Sequence, residues 1–148
     1  MTFNAIHHFD VPSFMQEASR VLEEDGHLFV YTRLKKQNSR NVWGKHFPLF
    51  EKKETRLYDL ENLTEQLSRA SSLKIESIQF FKYLRTSSLD ELLTRAKTNH
   101  YSTFALYSTD EFAESLEGFQ SNLIRDYKNL DRINWVDENV MITLRKET

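Results

Sequence analysis

The chain has 148 residues, 39% hydrophobic, 13% aromatic and 28% charged, with a net charge of −2 and no cysteine. That length supports one folded domain with its own core, and the composition excludes a disulfide framework, a thiolate nucleophile and a cysteine zinc site. No apolar run approaches the roughly 18 residues of a membrane helix, and MTFNAIHH lacks the basic-then-apolar order of a signal peptide, so a cytoplasmic protein without a membrane partner is expected.

Met1–Asp10 is too short to assign by pattern. Asp10 and Pro12 then open a helix, because proline is tolerated in a first turn, and Phe14, Met15, Ala18, Val21 and Leu22 recur on one face. Gly26 stops it. Leu28–Thr32 reads LFVYT, apolar on both sides, which predicts a strand covered on each face. Helix, glycine turn and buried strand form the second half of a parallel βαβ unit, with the preceding strand absent or reduced to Met1–Phe3.

Arg33–Arg56 is polar and reads as irregular. Leu60, Leu63, Leu67 and Ala70 mark a further helix with Asp59 as its cap. Leu73–Leu84 has strand composition. Ser88 with Glu91, and Ser108 with Glu111, are capping boxes. The first opens a short helix bearing Leu89, Leu92, Leu93 and Ala96. The second opens a longer one with Phe112, Leu116, Phe119, Leu123 and Tyr127 in a stripe. Val140, Ile142 and Leu144 alternate in a final strand.

The three glycines are Gly26, Gly44 and Gly118. They are too far apart to form a phosphate-cradling G-x-G loop, which needs glycines a residue or two apart.

Two short runs carry a resemblance. Ala5-Ile6-His7-His8, followed by Arg20-Val21-Leu22-Glu23-Glu24-Asp25-Gly26 and the LFVYT strand, resembles the middle of a class I S-adenosylmethionine-dependent methyltransferase. In that family an A-x-H-H-like loop follows the fourth strand, and an R-V-L-x-x-G-G turn leads into the fifth. Asp25 stands where the family commonly has glycine; aspartate tolerates the left-handed backbone that such a turn requires. The resemblance covers about 30 residues closely and the rest by order of elements only.

It implies an α/β, partial Rossmann-like fold: strands five to seven with flanking helices, the last strand antiparallel. The whole of residues 1–148 would be the C-terminal part of one methyltransferase-like domain, with 86–133 a helical insertion or lid. The glycine-rich cofactor loop would lie upstream of this segment. Ligands bind beyond the carboxyl ends of strands in such sheets. By resemblance, Asn4, Ala5 and Ile6 would face S-adenosylmethionine, and His7 and His8 are the candidate catalytic residues. A structural or packing role for the histidine pair is the plainer alternative. Adjacent side chains diverge and no zinc-spaced motif exists, so no metal site is expected.

Arg33–Arg56 holds Arg33, Lys35, Lys36, Arg40, Lys45, Lys52, Lys53 and Arg56 against Glu51 and Glu54, with Trp43, His46, Phe47, Phe50 and Tyr58 among or beside them. Bases with interleaved aromatics attract phosphate and stack on nucleobases. Arg33, Trp43 and His46 are therefore candidate substrate contacts. Lids shape the acceptor pocket in the resembled family, which makes Tyr101 and His100 of the polar connector Asn99–Thr103 further candidates by resemblance, with an ordinary hydroxyl-rich turn as the plainer alternative. The run AIHHF…RVL…LFVY is also similar to that of a tRNA-modifying methyltransferase, so the acceptor could be RNA or a small molecule. The alternative is a solvated loop whose aromatics fill a local core. The acids of Tyr107–Glu138 read as the exposed face of the long helix.

Three functions follow as expectations. One is a methyltransferase portion that is cofactor-incompetent alone. Another is a non-catalytic half-domain acting by self-association, as a homo-oligomer, or through a partner supplying the missing N-terminal half. The last is an RNA-binding module using residues 33–56.

Overall fold

A computed structural model describes residues 1–69 and 72–147. The chain forms β1 (Thr2–Phe3), α1 (Val11–Val21), β2 (His27–Thr32), α2 (Lys35–Arg40), α3 (Val42–His46), α4 (Phe50–Lys53), α5 (Leu60–Ser68), β3 (Leu73–Ser87), α6 (Leu89–Lys97), α7 (Thr109–Asp126) and β4 (Ile133–Lys146). Short 3-10 turns lie at Ile6–His8 and Ser102–Leu106. Ala70, expected to extend the α5 stripe, lies outside the described residues. The strands form one sheet in the order β1-β2-β4-β3. β1 pairs parallel with β2, and β4 runs antiparallel to β2.

Two compact units divide the chain. The first comprises residues 1–35, 56–81 and 138–148; the second comprises 36–55 and 82–137.

The first unit is built on aliphatic side chains. Val11, Met15 and Ala18 of α1 and Leu63 and Leu67 of α5 pack with Leu28, Val30, Leu73, Val140, Ile142 and Leu144 of the strands. Each fully buried leucine or valine here contributes about 2 kcal/mol of transfer free energy. Register fixes which side chains turn inward. Leu28 pairs with Leu144, Val30 with Ile142 and Thr32 with Val140, so all six share one face. The turn before β2 places Asp25, not Gly26, in the left-handed region at φ 62°. Gly26 is needed for closeness instead: a Cβ there would sit 2.8 Å from the Glu23 carbonyl oxygen.

Two expectations are corrected in this unit. β2 is not covered on both faces. Leu28, Val30 and Thr32 are buried, but His27 and Phe29 are exposed and Tyr31 is half-buried. Both helices of the unit pack on the inner face, and the outer face carries an open aromatic row in which Phe3 stacks on Tyr31 at 4.7 Å. Val21 lies on the exposed side of α1, because the helix ends there and the chain turns away.

The second unit is built on rings. Trp43, Phe47, Phe50, Phe104, Tyr107, Phe119 and Trp135 form its interior with Val42, Leu92, Ala96, Leu123 and Ile133. Trp43 stacks on Phe119 at 5.0 Å, and Phe47 meets Phe104 at 5.0 Å and Phe119 at 5.1 Å. Both capping boxes form as the sequence predicts. Ser88 Oγ accepts from the Glu91 N–H and Ser108 Oγ from the Glu111 N–H, and each glutamate accepts from its cap's own N–H. The segment read as irregular is largely helical: α2, α3 and α4 lie inside Arg33–Arg56, and α3 and α4 supply Val42, Trp43 and Phe50 to the core. These helices are too short to show a period in sequence.

Candidate functional site

The parallel pairing of β1 with β2 sets both carboxyl ends side by side, where open α/β sheets bind ligands. The chain leaves β1 through Asn4, at φ 49°, a conformation asparagine tolerates. Its N–H donates to the Tyr31 carbonyl at 2.7 Å, which continues the β1–β2 ladder by one bond. Buried Asn139 of β4 closes the end of the sheet. Its Nδ2 donates to the Thr32 carbonyl at 3.2 Å and reaches Asn4 Oδ1 at 3.4 Å. Arg33 Nε donates to the Glu138 carbonyl at 3.3 Å. Asn4, Arg33, Glu138 and Asn139 thus form a polar rim at one end of this sheet.

Of the other expected residues here, Ile6 is fully buried in the aliphatic core, so its side chain presents no face to a ligand. Ala5 is half-buried. The 3-10 turn that Ile6 anchors carries His7, half-buried, and His8, exposed, with ring centroids 4.0 Å apart. Sequence reasoning missed Glu138 and Asn139, which sit just before the alternating run of β4 and carry no pattern of their own.

Trp43, His46 and Tyr101 belong to the second unit. Trp43 is 1% exposed and enclosed by Phe47, Tyr101, Phe104 and Phe119, so its ring is a core wall and not a stacking platform. Tyr101 is half-buried against Trp43 and Phe50. His46 has a more chemical setting. Its Nδ1 lies 3.2 Å from Asp126 Oδ2, and its Nε2 lies 3.3 Å from the Tyr127 hydroxyl. Burial holds the imidazole below its ordinary pKa, against the pull of the Asp126 carboxylate. Arg125 grips the same carboxylate and keeps it below the usual aspartate range.

His46 also borders a concavity of about 580 Å³ lined by residues 44–52 and Asn122. Its wall turns at Leu49, which adopts φ 65°, ψ 0°. For a leucine that left-handed conformation costs about 1–2 kcal/mol. The turn is held from three sides. Asn122 Nδ2 donates to the His46 carbonyl at 2.8 Å, the Tyr107 hydroxyl donates to the Pro48 carbonyl at 2.7 Å, and Pro48 lies over Gly118 of α7. A Cβ on Gly118 would come within 2.8 Å of Pro48 Cγ. Nearby, Lys53 is paired with Glu111 at 2.6 Å, and buried Glu54 accepts from Thr103 Oγ1 at 2.6 Å. Lys45 and Lys52 are exposed and carry no ion pair among the described residues.

Among the described residues no three metal-ligating side chains come together, and no helix is long and apolar enough to cross a membrane.

No protein-family model and no curated protein matches the chain. Solved structures do. A protein of Bacillus halodurans C-125, described in its structure as a "putative methyltransferase", superposes with a TM-score of 0.55 at 16% identity. The match covers 98% of this chain and 62% of that one. At that identity the likeness is one of fold: this chain is mixed α/β, with a four-stranded sheet and helices similar to that protein's.

Proposed function

We propose that the chain is the C-terminal portion of a class I S-adenosylmethionine-dependent methyltransferase domain, unable to hold the cofactor by itself. In this reading β1, β2, β3 and β4 are the fourth, fifth, sixth and seventh strands, and residues 86–133 are a helical insertion. The observation that carries it is the β1–α1–β2 parallel unit followed by an antiparallel β4 beside β2. The order of elements, the AIHH and RVL-EEDG runs and the fold likeness support the same reading. The ligand end would then be the rim of Asn4, Ala5, Arg33 and Asn139, with His7 and His8 beside it.

The residues present do not fit S-adenosylmethionine on their own. Each glycine is used against its own chain: Gly26 on Glu23, Gly44 on Asn38 and Ser39, Gly118 on Pro48. None forms a backbone cradle for a ligand. The exposed rings of Phe3 and Phe29, beside half-buried Tyr31, fit the same account, because doubly wound sheets carry helices on both faces. The chain spans 62% of the length of its structural neighbour.

Sequencing the genomic DNA upstream of the Met1 codon tests the reading. A strand followed by a G-x-G loop, in frame or in an adjacent gene, is expected; its absence from both would sink it. Calorimetric titration of the 148-residue chain with S-adenosylmethionine tests the second claim, and micromolar affinity would overturn it.

The open aromatic row also favours a second reading, a half-domain that works by self-association. That reading expects an oligomer in sedimentation velocity that Phe29→Lys converts to monomer; a monomeric native chain at tens of micromolar would count against it. RNA binding through residues 33–56 retains only its electrostatic half, because Trp43, Phe47 and Phe50 are buried.

A further inference from the structure

The concavity beside His46 combines features that the core of the second unit does not require. Its volume, about 580 Å³, is in the range of small-molecule sites. Its wall is rigid, because Asn122, Tyr107 and Gly118 fix the bend at Phe47-Pro48-Leu49 from separate points on the chain.

Leu49 is the informative residue. It sits in the left-handed region, where glycine or asparagine is the unstrained choice. Its side chain is 43% exposed and contributes nothing to the buried core. A leucine there meets two local penalties, backbone strain and apolar exposure, and packing rewards neither. Strain that the surrounding structure holds in place is a marker of ligand sites. Leu49 and Pro48 give the concavity an apolar wall. Lys45 and Lys52 give it two unpaired ammonium groups against the single carboxylate of Glu51. Asn122 Nδ2 gives one of its two N–H donors to the His46 carbonyl, and the positive charge of the site rests on the lysines.

We infer that this concavity binds a small organic anion, a carboxylate or phosphate monoester on an apolar body, with the hydrocarbon against Leu49 and Pro48 and the charge between Lys45 and Lys52. The site lies wholly within the second unit. It does not rest on the methyltransferase reading, and its test contains no S-adenosylmethionine.

The experiment is an amide chemical-shift titration of the 15N-labelled chain with octanoate, octyl phosphate and octan-1-ol. Saturable shifts are expected at residues 44–47, 49–52 and Asn122 with the anions, and the tighter of the two identifies the head group. Octan-1-ol should bind at least about tenfold more weakly. Leu49→Gly removes the apolar wall and relieves the backbone, so it should weaken the anions about fivefold or more without lowering the melting temperature. Lys45→Gln with Lys52→Gln should abolish the preference for anion over alcohol. Shifts confined to the outer sheet row at Phe3, Phe29 and Tyr31, equal affinity for octan-1-ol, no shifts at residues 44–52, or full affinity in Leu49→Gly would each overturn the proposal.

Discussion

The two units solve the same problem with different side chains. The first buries leucine, valine and isoleucine between one sheet face and two helices. The second buries seven aromatic rings among the short helices α3 and α4, the long helix α7, the loop between α6 and α7 and the start of β4. Aliphatic burial on a sheet follows strict alternation, so the β4 face is set by the identity of every second residue. Aromatic burial in α3 and α4 follows no such period, although the stripe of α7 has a helical one. Rings reach further than aliphatic chains and interlock by edge and face contacts, so helices as short as α3 and α4 can be fixed by one or two of them. Regular elements thus stabilise the first unit by repetition, and single large residues fix the short helices of the second.

That difference makes the second unit more sensitive to single substitutions. Phe119 is fully buried and meets both Trp43 and Phe47. Phe119→Ala should cost about 4 kcal/mol, the range for a buried phenylalanine. Urea unfolding gives the loss, and hydrogen exchange tells which amides lose protection. Selective loss in residues 82–137 would sharpen the distinction between units; uniform loss would break it.

Gly44→Ala comes next in size. A Cβ there would collide with the Asn38 carbonyl oxygen and with Ser39 backbone atoms, none of which is a flexible side-chain end. The close crossing of α2 and α3 should therefore be forced apart at about 3 kcal/mol. Gly26→Ala, with its nearest contact at 2.8 Å, is the control from the first unit and should cost less. Equal losses in thermal unfolding would mean that α3 is not as tightly fixed as its rings imply.

The same contrast explains what could be read from sequence. α1, α5, α6 and α7 announced themselves by spacing, and the S-x-x-E boxes at Ser88 and Ser108 gave two starts to the residue. The alternation of Val140, Ile142 and Leu144 gave the inward face of β4. β2 misled because LFVYT carries apolar residues on both sides, and nothing local says that only one side will be covered. Residues 33–56 misled as to secondary structure, because eight bases mask the few residues that turn inward; of the two readings of its aromatics, stacking surface or local core, Trp43, Phe47 and Phe50 take the second. The rim residue Asn139 and the strained Leu49 were invisible, since each owes its place to contacts far along the chain or to a backbone angle that composition does not encode.

The smallest effect concerns His46, a candidate residue of the second unit whose titration the structure perturbs. Its pKa lies below the ordinary value of 6.5, first because the ring is desolvated, with Lys45 and Arg125 adding to the shift and Asp126 opposing it. The Tyr127 hydroxyl occupies its second nitrogen. Above pH 6.5 the ring is neutral in both folded and unfolded chains, and the group has no effect on stability. As pH falls through that value the unfolded chain takes up a proton that the folded chain resists, so stability declines until the folded-state pKa is passed. Melting temperature should therefore fall on acidification in a window set apart from the carboxylates, and His46→Gln should flatten that fall. His7, His8, His27 and His100 are common to both proteins, so the difference between the two curves isolates His46. Identical slopes would mean that the Asp126 carboxylate offsets the burial and that the histidine titrates as it would in water.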